Sequence, residues 1–85
     1  EVHGAALHYE NERPGLGLRF ESELNATLAR VAEGPLHFME IDVGVRRALL
    51  HIFPYGVFFA VEQDIVLVIA VLHLHRRPDS WKGRQ

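Results

Sequence analysis

The stretch RRALLHIFPYGVFFAVEQDIVLVIAVLHLHRR, residues 46–77, decides the fold. Val, Ile, Phe and Leu crowd two runs within it, Val57 to Val61 and Ile65 to Leu74, with Glu62, Gln63 and Asp64 between them. β-Branched and aromatic side chains suit a pleated, half-buried surface, so both runs read as strands joined by a tight turn. A further strand is expected from Arg46 to Phe53. It stops at Pro54, which has no backbone N–H for a ladder, and Gly56 follows closely, so Pro54, Tyr55 and Gly56 read as the reversal. Short turns make neighbours antiparallel, which predicts a three-stranded meander over residues 46–75.

Side-chain parity carries the first hint of function. Along an even strand Ile65, Leu67, Ile69 and Val71 would face one way and Val66, Val68, Ala70, Leu72 and Leu74 the other. Both sets are apolar. A sheet with one wet face alternates apolar and polar residues, so this strand is either covered on both sides or keeps one side for another molecule.

The residues before the sheet read as its packing layer. Val2, Ala5, Ala6 and Tyr9 fall on one stripe of a short helix, with His3, His8, Glu10 and Glu12 mostly turned away, and Arg13-Pro14-Gly15 stops it. A second helix, residues 16–33, carries the stripe Phe20, Leu24, Thr27 or Leu28, and Val31, with Glu23 to Arg30 on the far side and Gly34-Pro35 at its end. The short link makes the two an antiparallel hairpin whose stripes face the sheet. From Leu36 to Val45 no period is visible, and the segment reads as a loop from which Leu36, Phe38 and Ile41 tuck under the sheet edge. Residues 78–85 read as a polar tail containing Trp81, the only tryptophan. The sequence starts at Glu1 inside the first helix, and an upstream piece is expected to be missing.

Composition narrows the class. A chain of 85 residues holds one small domain, and at this size only about 60–65% of the unfolded surface is buried, so support from a partner is expected. Absence of cysteine rules out disulfides, thiolate metal sites and thiol nucleophiles. The longest apolar run is about half of the roughly 20 residues a membrane helix needs, so the chain reads as soluble and cytoplasmic, with no membrane partner. A formal net charge of −2 gives no general cationic field for nucleic acid. The charge is uneven: acidic residues gather in the first half, while Arg46, Arg47, Arg76, Arg77, Lys82 and Arg84 sit on or beside the sheet.

Few residue patterns carry chemistry. Six histidines raise the question of a metal, and His73 and His75 share a strand face, yet a third ligand would have to come from His51 in a favourable register; surface histidines are the commoner reading, and no metal or other cofactor is expected. Ser22 and Ser80 lie in no nucleophile turn, and RPGLGL has neither the lysine nor the preceding strand of a phosphate loop. The remaining set is cationic. Arg46, Arg47, His51, His73, His75, Arg76 and Arg77 occupy strand positions and ends where several could meet and grip phosphate, with a histidine for proton transfer. The plain alternative is a solvated rim that keeps an apolar sheet in solution.

The succession HYENERPGLGLRFESEL, GVRRALLHIFPYGVFFAVE and IVLVIAVLHLHRRPDSW resembles the RelE/ParE superfamily of type II toxins, often labelled plasmid stabilisation proteins, from about Ala5 to Trp81. The resemblance implies an α+β fold in which an N-terminal helical hairpin packs on a curved antiparallel β-sheet. Members usually begin with one more strand, which is not in this sequence, so the sheet is expected to lack that member. It also implies a cognate antitoxin that folds on the toxin as it binds, and oligomers formed through that assembly. RelE-like members cut messenger RNA on the ribosome with basic residues and a tyrosine or histidine near the end of the last strand; here that catalytic set would be Arg46, Arg47, His73, His75 and Arg77. ParE-like members lack that set and inhibit DNA gyrase. No tyrosine follows the last strand, the net charge is slightly negative, and AVLHLHRRPDSW is closer to ParE-like members. The expectation is therefore a non-catalytic, gyrase-directed toxin, with a ribosome-dependent nuclease or a non-toxic partner-binding relative as alternatives. Arg46, Arg47, His51, His73, His75, Arg76, Arg77 and Trp81 are the candidate partner-binding residues. Phe53 and Tyr55 are read as structural.

Overall fold

Phe20, Leu24, Thr27 and Val31 recur at intervals of three and four, the spacing that puts side chains on one face of a helix. In the computed structural model, which describes residues 2–75, they are the buried stripe of helix α2 (Leu16–Glu33). Helix α1 (Val2–Glu12) buries Ala5 and Ala6 beside it, with Val2 and Tyr9 packed at the margin of the same core. The one polar member of the stripe is satisfied where it lies. Thr27 donates its hydroxyl to the Glu23 carbonyl at 2.8 Å and accepts from Arg30 at 3.2 Å, so its full burial leaves no unmet hydrogen bond.

Two glycines shape the bend between the helices, each for a different reason. Gly15 has φ +90°, a conformation that side chains resist. Gly17 is a packing glycine: a Cβ there would lie 2.6 Å from the Ala6 carbonyl oxygen. Because Gly15 offers no side chain to cap α2, Glu10 of α1 reaches across and accepts from the Gly15 and Gly17 amides, each at 3.1 Å. A carboxylate at a helix N-terminus is also favoured by the helix dipole. Glu10 stays exposed, as its place off the α1 stripe implies, and is turned toward the start of the second helix.

The sheet has four strands in the order β1-β2-β3-β4, every pair antiparallel: β1 (Glu40–Asp42), β2 (Val45–Leu49), β3 (Tyr55–Glu62) and β4 (Ile65–His73). The first lies in the segment read as a loop. Its hairpin turns on Val43 and Gly44, with Gly44 at φ +73°, Asp42 accepting from the Val43 amide at 2.8 Å and Glu40 from the Gly44 amide at 2.9 Å. Three residues are too few to show a period, so the turn chemistry was the only legible sign. A 3-10 turn (Pro35–His37) precedes it. Phe38 packs edge-on against Phe59, and Ile41 joins the core on the far side of the sheet, but Leu36 is exposed where it was expected to tuck in.

The β2–β3 reversal differs in place from the expected one. β2 ends at Leu49, and the chain turns tightly at Pro54, where the Tyr55 amide donates to the Phe53 carbonyl at 2.7 Å, the bond of a γ-turn. Tyr55 and Gly56 already belong to β3. The β3–β4 turn is Gln63 and Asp64, as expected, but both residues take positive φ, 51° and 71°. This is the left-handed pair that matches strand twist and that Asn-Gly usually supplies.

Even parity fails in β4. Phe58 pairs with Ala70 and Phe59 with Val68, so Ile69 is an extra residue, a β-bulge, and the faces exchange on either side of it. Val66 and Val71 pack on the helix-side core, while Ile69, Ala70 and Leu72 belong to a second cluster with Val45 and Phe58. The two parity sets read from the sequence are thus each split between faces, although both faces are apolar as expected. β4 ends the sheet. Residues 76–85, which include Arg76, Arg77, Trp81 and the tail, lie outside the described residues.

Two substitutions test this architecture. Replacing Gly17 with Ala should lower stability by about 1–3 kcal/mol through overpacking, against a helix-propensity gain of about 1 kcal/mol; a urea midpoint that stays or rises would refute the close helix approach. Changing Gln63-Asp64 to Asn-Gly should raise stability by about 1 kcal/mol by relieving left-handed strain. An unchanged midpoint would show that the turn stores none.

Candidate partner-binding site

Side chains of the sheet that point away from the helices make the second cluster. Val45, Phe58 and Ala70 are its buried members, and Ile41, Ile69 and Leu72 pack on them. No residue of α1 or α2 belongs to it. Beside it runs a groove of about 250 Å³ bordered by Ile41, Arg47, Leu49, Phe58, Leu72, His73 and Leu74. That volume is below the roughly 300–1,000 Å³ of small-molecule sites. It suits one or two side chains of a partner.

Gly56 lies beneath two side chains that border the groove. It is buried in β3 opposite Leu49 and Leu72, and a Cβ on it would lie 3.1 Å from Leu74 Cδ2 and 3.4 Å from Arg47 Cγ. The aliphatic stem of Arg47 and the Leu74 side chain therefore close over the space that a larger residue would fill. Gly56 is absent from the positive-φ glycines of the chain. Its role is packing and not the turn assigned to it from the sequence.

Arg46 and Arg47 are neighbours in β2 and so lie on opposite faces of the sheet. Arg46, paired with Phe59, donates to the Phe38 carbonyl at 2.7 Å and approaches Glu40 at 3.7 Å, which ties β2 to the chain entering β1. Arg47, paired with Phe58, borders the groove. It is half-buried, and no hydrogen bond or ion pair holds its guanidinium among the described residues.

The histidines divide as well. His51 is exposed on the loop after β2, where Glu23 of α2 accepts from the His51 amide at 2.8 Å and from the Ile52 amide at 3.3 Å, with the His51 ring 3.9 Å from the same carboxylate. Glu23 is only 17% exposed, whereas its place off the apolar stripe pointed to the far side of the helix. His73 pairs with Tyr55, and the two rings meet edge to face at 5.2 Å. Its Nδ1 accepts from the His75 amide at 3.1 Å, and the His73 and His75 rings are 5.7 Å apart. Among the described residues no group of three or more His, Cys, Asp or Glu is placed to hold a metal. Tyr55 and Phe53 join Tyr9 and Phe20 in an aromatic cluster between helices and sheet, the structural role read for them. Of the cationic candidates that are described, the groove brings together Arg47 and His73 alone; Arg46 and His51 are turned to other partners.

Residues 3–78 match the model of the ParE toxin of the type II toxin-antitoxin system, parDE. The chain belongs to the ParE toxin family. No curated protein and no solved structure matches it. As a ParE-family toxin it is the toxin component of a type II system whose partner is a cognate antitoxin. Its two helices on a four-stranded antiparallel sheet are the α+β arrangement that the resemblance implied. No helix among the described residues is long and apolar enough to cross a membrane.

The residues that the sequence did not single out are apolar or hidden in function. Leu49, Phe58, Leu72 and Leu74 look like any strand residues until the bulge assigns their face, and Gly56 looks like a turn glycine. Glu23 has no local signal, because its partners lie 28 residues away. Removing its carboxylate as Glu23→Ala should cost about 1 kcal/mol and release the loop it holds. Amide exchange at His51 and Ile52 should accelerate markedly while exchange in β3 changes little, and unaltered protection at both amides would disprove the clamp.

Proposed function

We propose that this toxin arrests bacterial growth in the cytoplasm by binding and inhibiting DNA gyrase, that it catalyses no reaction, and that its antitoxin neutralises it by covering the second face of the sheet. The match to the ParE family over residues 3–78 carries the reading. A role in plasmid stabilisation belongs to the same reading.

The geometry of the arginines supports binding over cutting. A nuclease must gather several cationic donors around one phosphate as its charge develops, and hold a proton acceptor beside the attacking hydroxyl. Arg46 has its guanidinium engaged by Phe38 and Glu40 on the helix side of the sheet, so it cannot share a phosphate with Arg47. His73 already uses Nδ1 as an acceptor for the His75 amide. Among the described residues one unpaired guanidinium stands in an apolar groove, an arrangement better suited to a protein surface than to a ribose 2′-hydroxyl.

Inducible expression in bacteria, read for growth, transcript integrity and DNA-damage response together, tests the proposal. The expected outcome is arrest with intact transcripts and an SOS response, and inhibition of purified gyrase by the purified toxin. Arrest with transcripts cleaved on the ribosome would replace it with the nuclease reading. Soluble expression with normal growth would leave a relative that only binds its partner.

A further inference from the structure

The groove around Arg47 holds a cation with no counterpart among the described residues. Its walls are aliphatic and aromatic, and none of its described lining residues is acidic. On the neighbouring β1 hairpin, Glu40 serves the Gly44 amide and Arg46, and Asp42 accepts from the Val43 amide. A half-buried guanidinium presents a planar fork of donors, and leaving them unpaired under a partner would be costly.

We propose that this groove is the seat for one carboxylate side chain on an aliphatic segment of the antitoxin, with the carboxylate accepting both donors of the Arg47 fork and its aliphatic neighbours lying on Leu49, Phe58, Leu72 and Leu74. This rests on the toxin reading above and specifies which chemistry of the antitoxin neutralises which surface. A carboxylate fits better than a nucleic-acid phosphate because the described residues of the site set one arginine between apolar walls, while phosphate recognition draws on several cationic contacts. Planar bidentate pairing selects the carboxylate group. Burial beneath an apolar segment then strengthens the pair by excluding water.

The test uses the full toxin, the cognate antitoxin, and binding measured at low and at physiological salt. Arg47→Gln should bind at least about tenfold more weakly, and Arg47→Glu more weakly still. Antitoxin variants in which each Asp or Glu in turn becomes Arg are then titrated against Arg47→Glu. One of them should recover most of the lost affinity, and that residue is the occupant. Wild-type affinity in Arg47→Gln would overturn the proposal, as would a scan in which no exchange restores binding to Arg47→Glu. If Arg47→Glu does not fold, Arg47→Gln decides alone, since thermal unfolding shows whether its fold is kept. Dissociation of a toxin self-assembly by Arg47→Gln, with antitoxin affinity unchanged, would assign the groove to a second copy and also overturn it. The growth phenotype of the wild-type toxin judges the toxin reading separately from these affinities.

Discussion

Everything in this fold depends on how β4 divides its apolar residues between two faces. A strand can serve both sides of a sheet only by strict alternation, and alternation fixes every residue once one is fixed. The extra residue at Ile69 breaks that rule once. Below it Val66 serves the helix-side core, and above it Val71 does, although the two are separated by an odd number of positions. The same shift places Leu72 over Phe58 and brings His73 against Tyr55. Without the bulge, the upper half of β4 would turn its groove-lining leucine toward the helices and His73 away from the aromatic cluster. The shape of the candidate site is therefore set by one backbone irregularity in the strand that borders it.

The two carboxylates that hold the helical layer in place follow a common logic. Glu10 and Glu23 each leave a helix to accept paired backbone amides in a segment that lacks a cap of its own. One fastens α1 to the start of α2, and the other fastens α2 to the loop that feeds β3. Acidic residues in the first half of the chain thus do more than balance charge. Together with the close contact at Gly17, they make the hairpin and the β2–β3 connection a continuous assembly behind the sheet.

Much of this was legible in the residues, and the rest was hidden for identifiable reasons. Helical stripes could be read because Phe20, Leu24, Thr27 and Val31 repeat over about three turns, and the β3–β4 hairpin because two long apolar runs flank a short polar one. β1 could not, since Glu-Ile-Asp has no room for a period. The turn before β3 was misplaced by two residues because Pro54 and Gly56 both suggest turns, and only packing shows that Gly56 makes room for the Arg47 and Leu74 side chains. For the site, sequence brought attention to Arg46 and Arg47 as a pair. Adjacent strand residues diverge by about 180°, and which of them faces the helices depends on a register that long-range pairing alone determines. The acceptors Glu10 and Glu23 were missed because nothing local distinguishes a clamping carboxylate from a solvated one.

The position of β4 at the end of the sheet formed by the described residues has a further consequence. Ile65 to Leu74 contains no Lys, Arg, Asp, Glu or Pro, the residues with which proteins usually blunt a terminal strand. A row of backbone groups along such a strand is a template for any extended chain that reaches it, including an incompletely folded copy of the same sequence. Along that edge the described residues leave backbone groups that a strand from elsewhere, of the same chain or of another molecule, could extend.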